Sequence, residues 1–381
     1  MALVVFFVLS LCITCCKVDG RNKFQPDEEN DFTQHNSIML PVENNFDCVD
    51  IYKQPALQHP LLKNHNMQLS PTFAKNTAQS SSSYGEIVNG CPEGKVPIYN
   101  KTKRHQNSTN SSFKLQTNEF WKHSKSFPGY NAVTLDTTQN MIFHGAFTGI
   151  AGFNLSLQDN QYSISSIWIE SGSPTELNSI KLGVGVHPSL FGDSQLRLIG
   201  SWTVDGYRKT GCYNLLCSGF VQVNKEYAFG SVISPANTIG STSKYITFLK
   251  IKQDRSSGHW WLTIQPESIQ IGYWPKELFT HLSKGASLIR FGGQTLSPPN
   301  KDSPPMGSGR LPKEKYRNSA FMEKLQIIDS EYNELDVKSK DMKPYKDTNS
   351  DCYDLMYHGY EGPVFKQAFL YGGPGGRNCD I

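Results

Sequence analysis

Residues 287–295 read SLIRFGGQT. Leu288 and Ile289 suit a buried strand, and Gly292-Gly293 suits a turn or a close backbone approach. Arg290 stands between them with a permanent charge that is costly to bury. Alternation alone would put it on the solvated face of a half-buried strand. Three carboxyls lie in strand- or turn-like strings: Glu170 in WIESGS, the nearby Glu176, and Asp205 in WTVDGY. Each alone suits a surface or turn position. His187, His259, His281 and His358 have no metal-ligand spacing, and the chain beyond Cys16 holds no CxxC, so no metal site is expected. There is no GxSxG, no P-loop and no dinucleotide-binding glycine pattern; YGGPGG (371–376) reads as a turn. Trp202, Tyr207, Tyr213, Tyr273 and Trp274 have two readings. Singly each suits a core; as a set they suit a groove on which proline rings would stack. Gln222 at the end of GFVQ fits a strand, with peptide-backbone bonding as its other reading.

The elements that must position these residues read as strands. SISSIWIESGS, QLRLIGSWTVDGY, GFVQVNKEYAFGSVIS, KYITFLKIKQD and HWWLTIQP alternate with a period near two, divided by Gly, Ser, Asn and Asp. An all-β, antiparallel sandwich follows. Residues 275–284, PKELFTHLSK, are expected as one short helix with Pro275 at its start. Residues 48–63, with two prolines, read as extended. Residues 296–318 read as a long loop, and 351–380 as β again. Residues 100–127 are rich in Lys, Ser, Asn and Thr and mark a linker, with a domain boundary near 105–127.

The bulk numbers fit a protein outside the cytosol. Residues 1–16 are an apolar run, short for a membrane span and suited to a signal peptide ending near Gly20. The rest is expected to be secreted, extracellular and free of membrane spans. Net charge is +3 with no long basic run, which argues against a nucleic-acid partner. Cys12, Cys15 and Cys16 lie in the signal. Six cysteines remain, and proximity pairs Cys48 with Cys91, Cys212 with Cys217 and Cys352 with Cys379. Asn100, Asn107, Asn110 and Asn154 head N-x-S/T sequons and are candidate glycan sites.

Several longer strings are distinctive: FDCVDIYKQPALQHPLLKNH (46–65) and GCPEGKVPI (90–98) before the linker, and SWTVDGYRKTGCYNLLCSGFVQ (201–222), HWWLTI (259–264), IGYWPKELFTHL (271–282), MGSG (306–309) and YGGPGG (371–376) after it. The first two resemble the activation peptide of the neprosin family, secreted plant proteins, and the others look like that family's peptidase domain. The resemblance implies a zymogen: a signal peptide over 1–20, a small activation-peptide domain and linker over 21–127, and a β-sandwich peptidase-like domain over 128–381. It implies a proline-directed glutamic endopeptidase, working in acid without metal or organic cofactor. The partners it implies are a peptide or protein ligand, proline-rich among the options, and the chain's own N-terminal segment as intramolecular inhibitor.

A glutamic peptidase holds a water between two carboxyl groups. One takes a proton from the water, and the other, protonated, polarises the scissile carbonyl. Their proximity splits their pKa values. In SIKLGVGVHP (179–188) the position matching the first family glutamate is Lys181, with Val184 at a tryptophan position. In LIRFGG (288–293) the second is Arg290, followed by Phe291, with Gln294 after the glycines. Both catalytic positions are therefore expected to be cations. Arginine cannot serve as a base. A lysine beside it could lose its proton, but would lack an acid partner. The expectation is a catalytically impaired, peptide-binding pseudopeptidase. Its rivals are an active glutamic-type enzyme using acids elsewhere, with Glu170, Glu176 and Asp205 to check, and an extracellular structural or wall-associated protein.

Overall fold

Two antiparallel sheets carry nearly all of the regular structure. The computed structural model describes residues 32–42, 45–74, 90–100, 128–266 and 268–380. The signal region, the linker boundary, Asn107 and Asn110 lie outside the described residues. From Thr33 onward the chain forms one compact unit.

The seven-stranded sheet runs, in spatial order, Cys212–Tyr213, Arg197–Thr203, Asn178–Val186, Tyr162–Ser171, Leu288–Leu296, Tyr130–Thr137 and Met342–Lys346. The ten-stranded sheet runs Val221–Gln222, Ile269–Trp274, Trp260–Gln265, Ser243–Gln253, Gly145–Ala151, Ala320–Ile328, Gln367–Gly372 and Asp354–Tyr360. Thr33–Asn36 joins it, parallel to Ser243–Gln253, and Glu334–Asp336 pairs with Ala320–Ile328.

Period-two alternation decides what each face holds. Tyr371 of the larger sheet donates to Ser165 Oγ of the smaller at 2.6 Å, so the Ser165 face lies inside the sandwich. Ile167 and Ile169 share that face, level with Leu182, Ile180, Phe291 and Ile289 across the pairings, and all six are fully buried. Each contributes about 1.5–3 kcal/mol relative to exposure. The alternate residues, Trp168, Glu170, Lys181 and Arg290, therefore share the outer face of the smaller sheet. Two glycines flatten that face beside them. A Cβ on Gly183 would meet Ser165 O at 1.9 Å, and one on Gly292 would meet Val133 O at 2.1 Å. No larger residue fits at either position.

The three cysteine pairs form as proximity suggested. Two local expectations fail. Residues 275–284 are not one helix but two 3-10 turns, Lys276–Leu278 and Leu282–Lys284. The Asn178 side chain accepts the backbone N–H groups of His281 and Leu282 at 2.8 and 3.3 Å, and those bonds displace helical ones. Residues 48–63 are not extended throughout. After the strand Phe46–Asp50 come three 3-10 turns, Ile51–Lys53, Pro55–Gln58 and Pro60–Leu62. Each proline opens its turn, where no N–H donor is needed.

Those turns lie against the end of the larger sheet. Ala56, Met67 and Phe73 pack on Val221, Trp261 and Tyr273. Gln54 is fully buried there. Its side-chain amide donates to Gln222 O at 3.0 Å and accepts the Gln222 N–H at 2.8 Å. One amide thus satisfies the edge strand as a neighbouring backbone would, and covers that edge.

Candidate functional site

Register brings Lys181 and Arg290 into one row. Trp168 lies opposite Lys181 on one side and opposite Arg290 on the other. Lys181 Nζ sits 3.6 Å from the centre of the Trp168 ring, and Arg290 Cζ sits 5.4 Å from it. Trp168 Nε1 donates to Ser166 Oγ at 2.7 Å, which fixes the indole. Both cations therefore rest on the negative faces of one aromatic system.

Each cation has polar partners. Lys181 Nζ donates to Gln294 Oε1 at 2.8 Å, and the Tyr130 hydroxyl donates to the same oxygen at 3.2 Å. Lys181 is only 3% exposed. Burial pushes its pKa down to about 7, with Arg290 adding to the fall and Glu170 opposing it. Arg290 Nη2 meets Asp136 Oδ2 at 3.0 Å, and its Nε lies 3.5 Å from Glu170 Oε2. The second is an ion-pair contact, too poorly aligned for a hydrogen bond. Tyr345 covers the guanidinium at 4.8 Å. Burial works against the Arg290 charge, but Glu170 and Asp136 outweigh it and hold its pKa above the usual value.

The acids are structural partners of that charge. Glu170 accepts from Ser179 Oγ at 3.0 Å. Asp136 accepts from Thr134 Oγ1 at 2.6 Å. Burial raises Asp136 to about 6 despite Arg290. Asp347 accepts the Ala132 N–H at 2.6 Å, is raised by burial, and acts electrostatically on both cations. The site is thus a buried, nearly charge-balanced cluster, with the guanidinium paired to both nearby acids.

The other residues singled out in the sequence scatter. Tyr207 and Tyr213 join Trp168 and Tyr130 in one buried cluster, with the Tyr207 ring 5.8 Å from Lys181 Nζ. Trp202 is level with Ile180 and so faces the other side of the sheet, beside Phe279. Tyr273 and Trp274 belong to the larger sheet, so one groove does not hold all five aromatics. Trp274 packs with Phe220 and Phe229, and Tyr273 lies beneath the N-terminal turns. Gln222 Nε2 donates to Asn224 O and Tyr227 O, so its side chain braces a loop. Of the rival acids only Glu170 reaches the site. Glu176 stands exposed near His281, and Asp205 ties a turn through Thr203, Thr210 and neighbouring backbone N–H groups. Asn154 is exposed, while the Asn100 amide bonds to Asp47.

Sequence reasoning missed Trp168, Asp136, Tyr130, Tyr345 and Asp347. Trp168 was within reach, being two residues from Glu170 on a strand and therefore on its face. The others needed the register of distant strands.

The N-terminal part touches this region too. Tyr99, from the strand Lys95–Tyr99, packs against the cluster that holds Trp168, Tyr207 and Tyr213, and its hydroxyl donates to Phe191 O at 3.2 Å.

Comparison with known proteins supplies the family. The sequence profile of the neprosin activation peptide matches residues 37–145, and that of the neprosin domain matches residues 159–374. Among solved structures, the chain is distantly similar to scytalido-glutamic peptidase with a peptide-based transition-state analogue. The identity is 9% over 65% of this chain and 98% of that one, with a TM-score of 0.35. A second is SCP-B, a member of the eqolisin family of peptidases, in complex with the tripeptide Ala-Ile-His. There the identity is 9% over 64% and 97%, with a TM-score of 0.33. At that distance neither assigns a residue. The neprosin match alone spans more than half of the chain, and the chain belongs to the neprosin family, an activation peptide preceding its neprosin domain.

Proposed function

We propose that this protein is a secreted neprosin-family pseudopeptidase that binds peptides on the outer face of its smaller sheet without hydrolysing them. One observation carries the reading: Arg290 stands between Asp136 and Glu170 and pairs with both. A two-carboxyl mechanism needs the acids to share a water and a proton. A guanidinium that never deprotonates takes that place. Lys181, at the other family position, is protonated throughout the acid range. In this reading the N-terminal segment, signal-directed through residues 1–20, restrains the site until it is removed, and Tyr99 is one of its contacts there.

A second reading rests on a specific feature. Burial holds Asp136 up to about 6, so it carries a proton in acid, and Glu170 lies on the same face. Those two could supply an acid and a base if a substrate displaced Arg290.

The test is binding and product in one tube. The secreted chain is processed at acid pH, mixed with a fluorescent proline-containing peptide, and followed by anisotropy and mass spectrometry. Saturable binding with intact peptide supports the proposal. Cleaved peptide overturns it, and loss of cleavage in Asp136→Asn and Glu170→Gln would establish the second reading. Absence of binding to a panel of acidic, neutral and proline-rich peptides overturns the binding role.

A further inference from the structure

Three side chains that no sequence spacing connects meet where the N-terminal segment crosses the sandwich. His65 follows the Pro60–Leu62 turn, His259 precedes the strand Trp260–Gln265, and Glu277 lies in the turn Lys276–Leu278. We propose that His65, His259 and Glu277 form a zinc-type divalent metal site that staples the activation segment to the body of the protein.

The distances suit an ion. Glu277 Oε2 lies 3.7 Å from His65 Nδ1 and 3.9 Å from His259 Nδ1. One ligand atom from each of the three falls within 4.8 Å of the others. Tetrahedral zinc with bonds of about 2.0–2.1 Å sets its ligand atoms roughly 3.4 Å apart. Closing the set therefore takes small side-chain rotations, and Glu277, 38% exposed, has room to make them. Two imidazoles and one carboxylate are a borderline donor set that suits zinc over calcium or magnesium.

The surroundings orient the ligands. His65 Nε2 is 2.8 Å from the Tyr273 hydroxyl, which also accepts the Gln68 N–H at 3.0 Å. An Nε2–H donated to that oxygen leaves the Nδ1 lone pair toward Glu277, the usual second support of a metal-bound histidine. His259 stacks on Tyr273 with ring centres 4.9 Å apart, and the two histidine rings are 5.0 Å apart. His259 Nδ1 accepts the Lys276 N–H at 3.2 Å, a long bond that the ion would replace. A cleft of about 530 Å³, lined by Lys63, Asn64, Asn66, Ser257 and Lys276, opens onto the cluster. It admits a water as fourth ligand.

Two ligands belong to the body and one to the segment, so a bound ion adds its binding free energy to segment docking. The inference does not depend on whether the sheet face cleaves or binds peptides.

The test uses the full-length, unprocessed chain. Zinc chloride is titrated calorimetrically into wild type, His65→Ala, Glu277→Gln and Tyr273→Phe, with His358→Ala as an exposed control. Segment release by a added protease is timed in zinc and in chelator. One equivalent should bind wild type and His358→Ala. Affinity should fall about tenfold in Tyr273→Phe, stoichiometric uptake should vanish in the two ligand variants, and zinc should slow release in wild type and His358→Ala but not in the ligand variants. Glu277→Gln lies on the body and leaves the segment's own packing intact, so it separates loss of metal from loss of docking. No stoichiometric uptake, uptake that survives both ligand substitutions, or release unchanged by zinc would overturn the proposal.

Discussion

Lys181 and Arg290 stand level on strands either side of the one that carries Trp168, so a single indole separates them. In a sheet that spacing is about 10 Å between their backbones. The sequence resemblance puts the two family glutamates at these positions, which is the basis of the proposal. Arg290 pairs with Asp136 and Glu170, and Lys181 is held by Gln294 and an aromatic enclosure. The cluster is a compensated set, which makes its energetics testable.

Removing the arginine should expose the compensation. Arg290→Met leaves one buried and one half-buried carboxylate without their cation, a change that costs about 3–5 kcal/mol at neutral pH. Below about pH 6 Asp136 takes up a proton and the cost should shrink. Adding Asp136→Asn and Glu170→Gln should recover most of the stability. Urea unfolding of the single and triple variants at neutral and acid pH measures this. A triple variant no better than the single would mean Arg290 acts by packing alone.

Lys181 should show the opposite pH behaviour to a paired cation. Its folded pKa, about 7, lies below the ordinary lysine value of 10.5. The unfolded chain therefore binds more protons in that window, and stability should rise with pH from about 7 to 10.5. The burial cost is fully present below the window and relieved above it. Lys181→Met should be more stable than wild type by roughly 3–5 kcal/mol in the acid and neutral range, with the gain fading toward alkaline pH. Thermal melts of both proteins across the window check it; a constant difference would contradict the assignment.

Asp136 carries the reverse sign. Its pKa is raised from 3.8 to about 6 by burial, so the folded state holds the extra proton. Stability from this group is greatest below 3.8 and falls as pH rises to about 6. Asp136→Asn should therefore gain on wild type through that interval and run parallel to it above. A stability difference that moves the other way would refute the shift.

How far the sequence reached depended on whether a feature was local. Alternation in SISSIWIESGS and its fellows is a property of each strand, so the sandwich was legible. The disulfides were legible from proximity. The position of Trp168 between Lys181 and Arg290 required the register of three strands, one of which lies about a hundred residues from the other two. The helix expected over 275–284 was undone by Asn178, a side chain from a strand of the smaller sheet. The five aromatics looked like one set because they share recognisable strings, yet strand membership places Tyr273 and Trp274 in the larger sheet.

Docking of the N-terminal segment should hang on Gln54. Gln54→Ala removes its paired bonds to the Gln222 backbone and one to Ile51 O, and uncovers an edge strand. A loss of about 2–3 kcal/mol in segment docking follows. Limited proteolysis of the full chain should cut residues 51–74 far sooner than in wild type. Tyr52→Ala, at a site 67% exposed, should leave the rate unchanged. Equal rates for both variants would show that the segment is held elsewhere.

The most direct test of the central claim is cleavage. Wild type and Lys181→Glu/Arg290→Glu, both processed at acid pH and verified by mass spectrometry, are given the same quenched proline-containing peptide, with Asp136→Asn added to the double variant to limit crowding of acids. The account predicts no product from wild type and product once both glutamates stand in place. Product from wild type that persists when Lys181 and Arg290 are each changed would contradict it and make this chain a working peptidase.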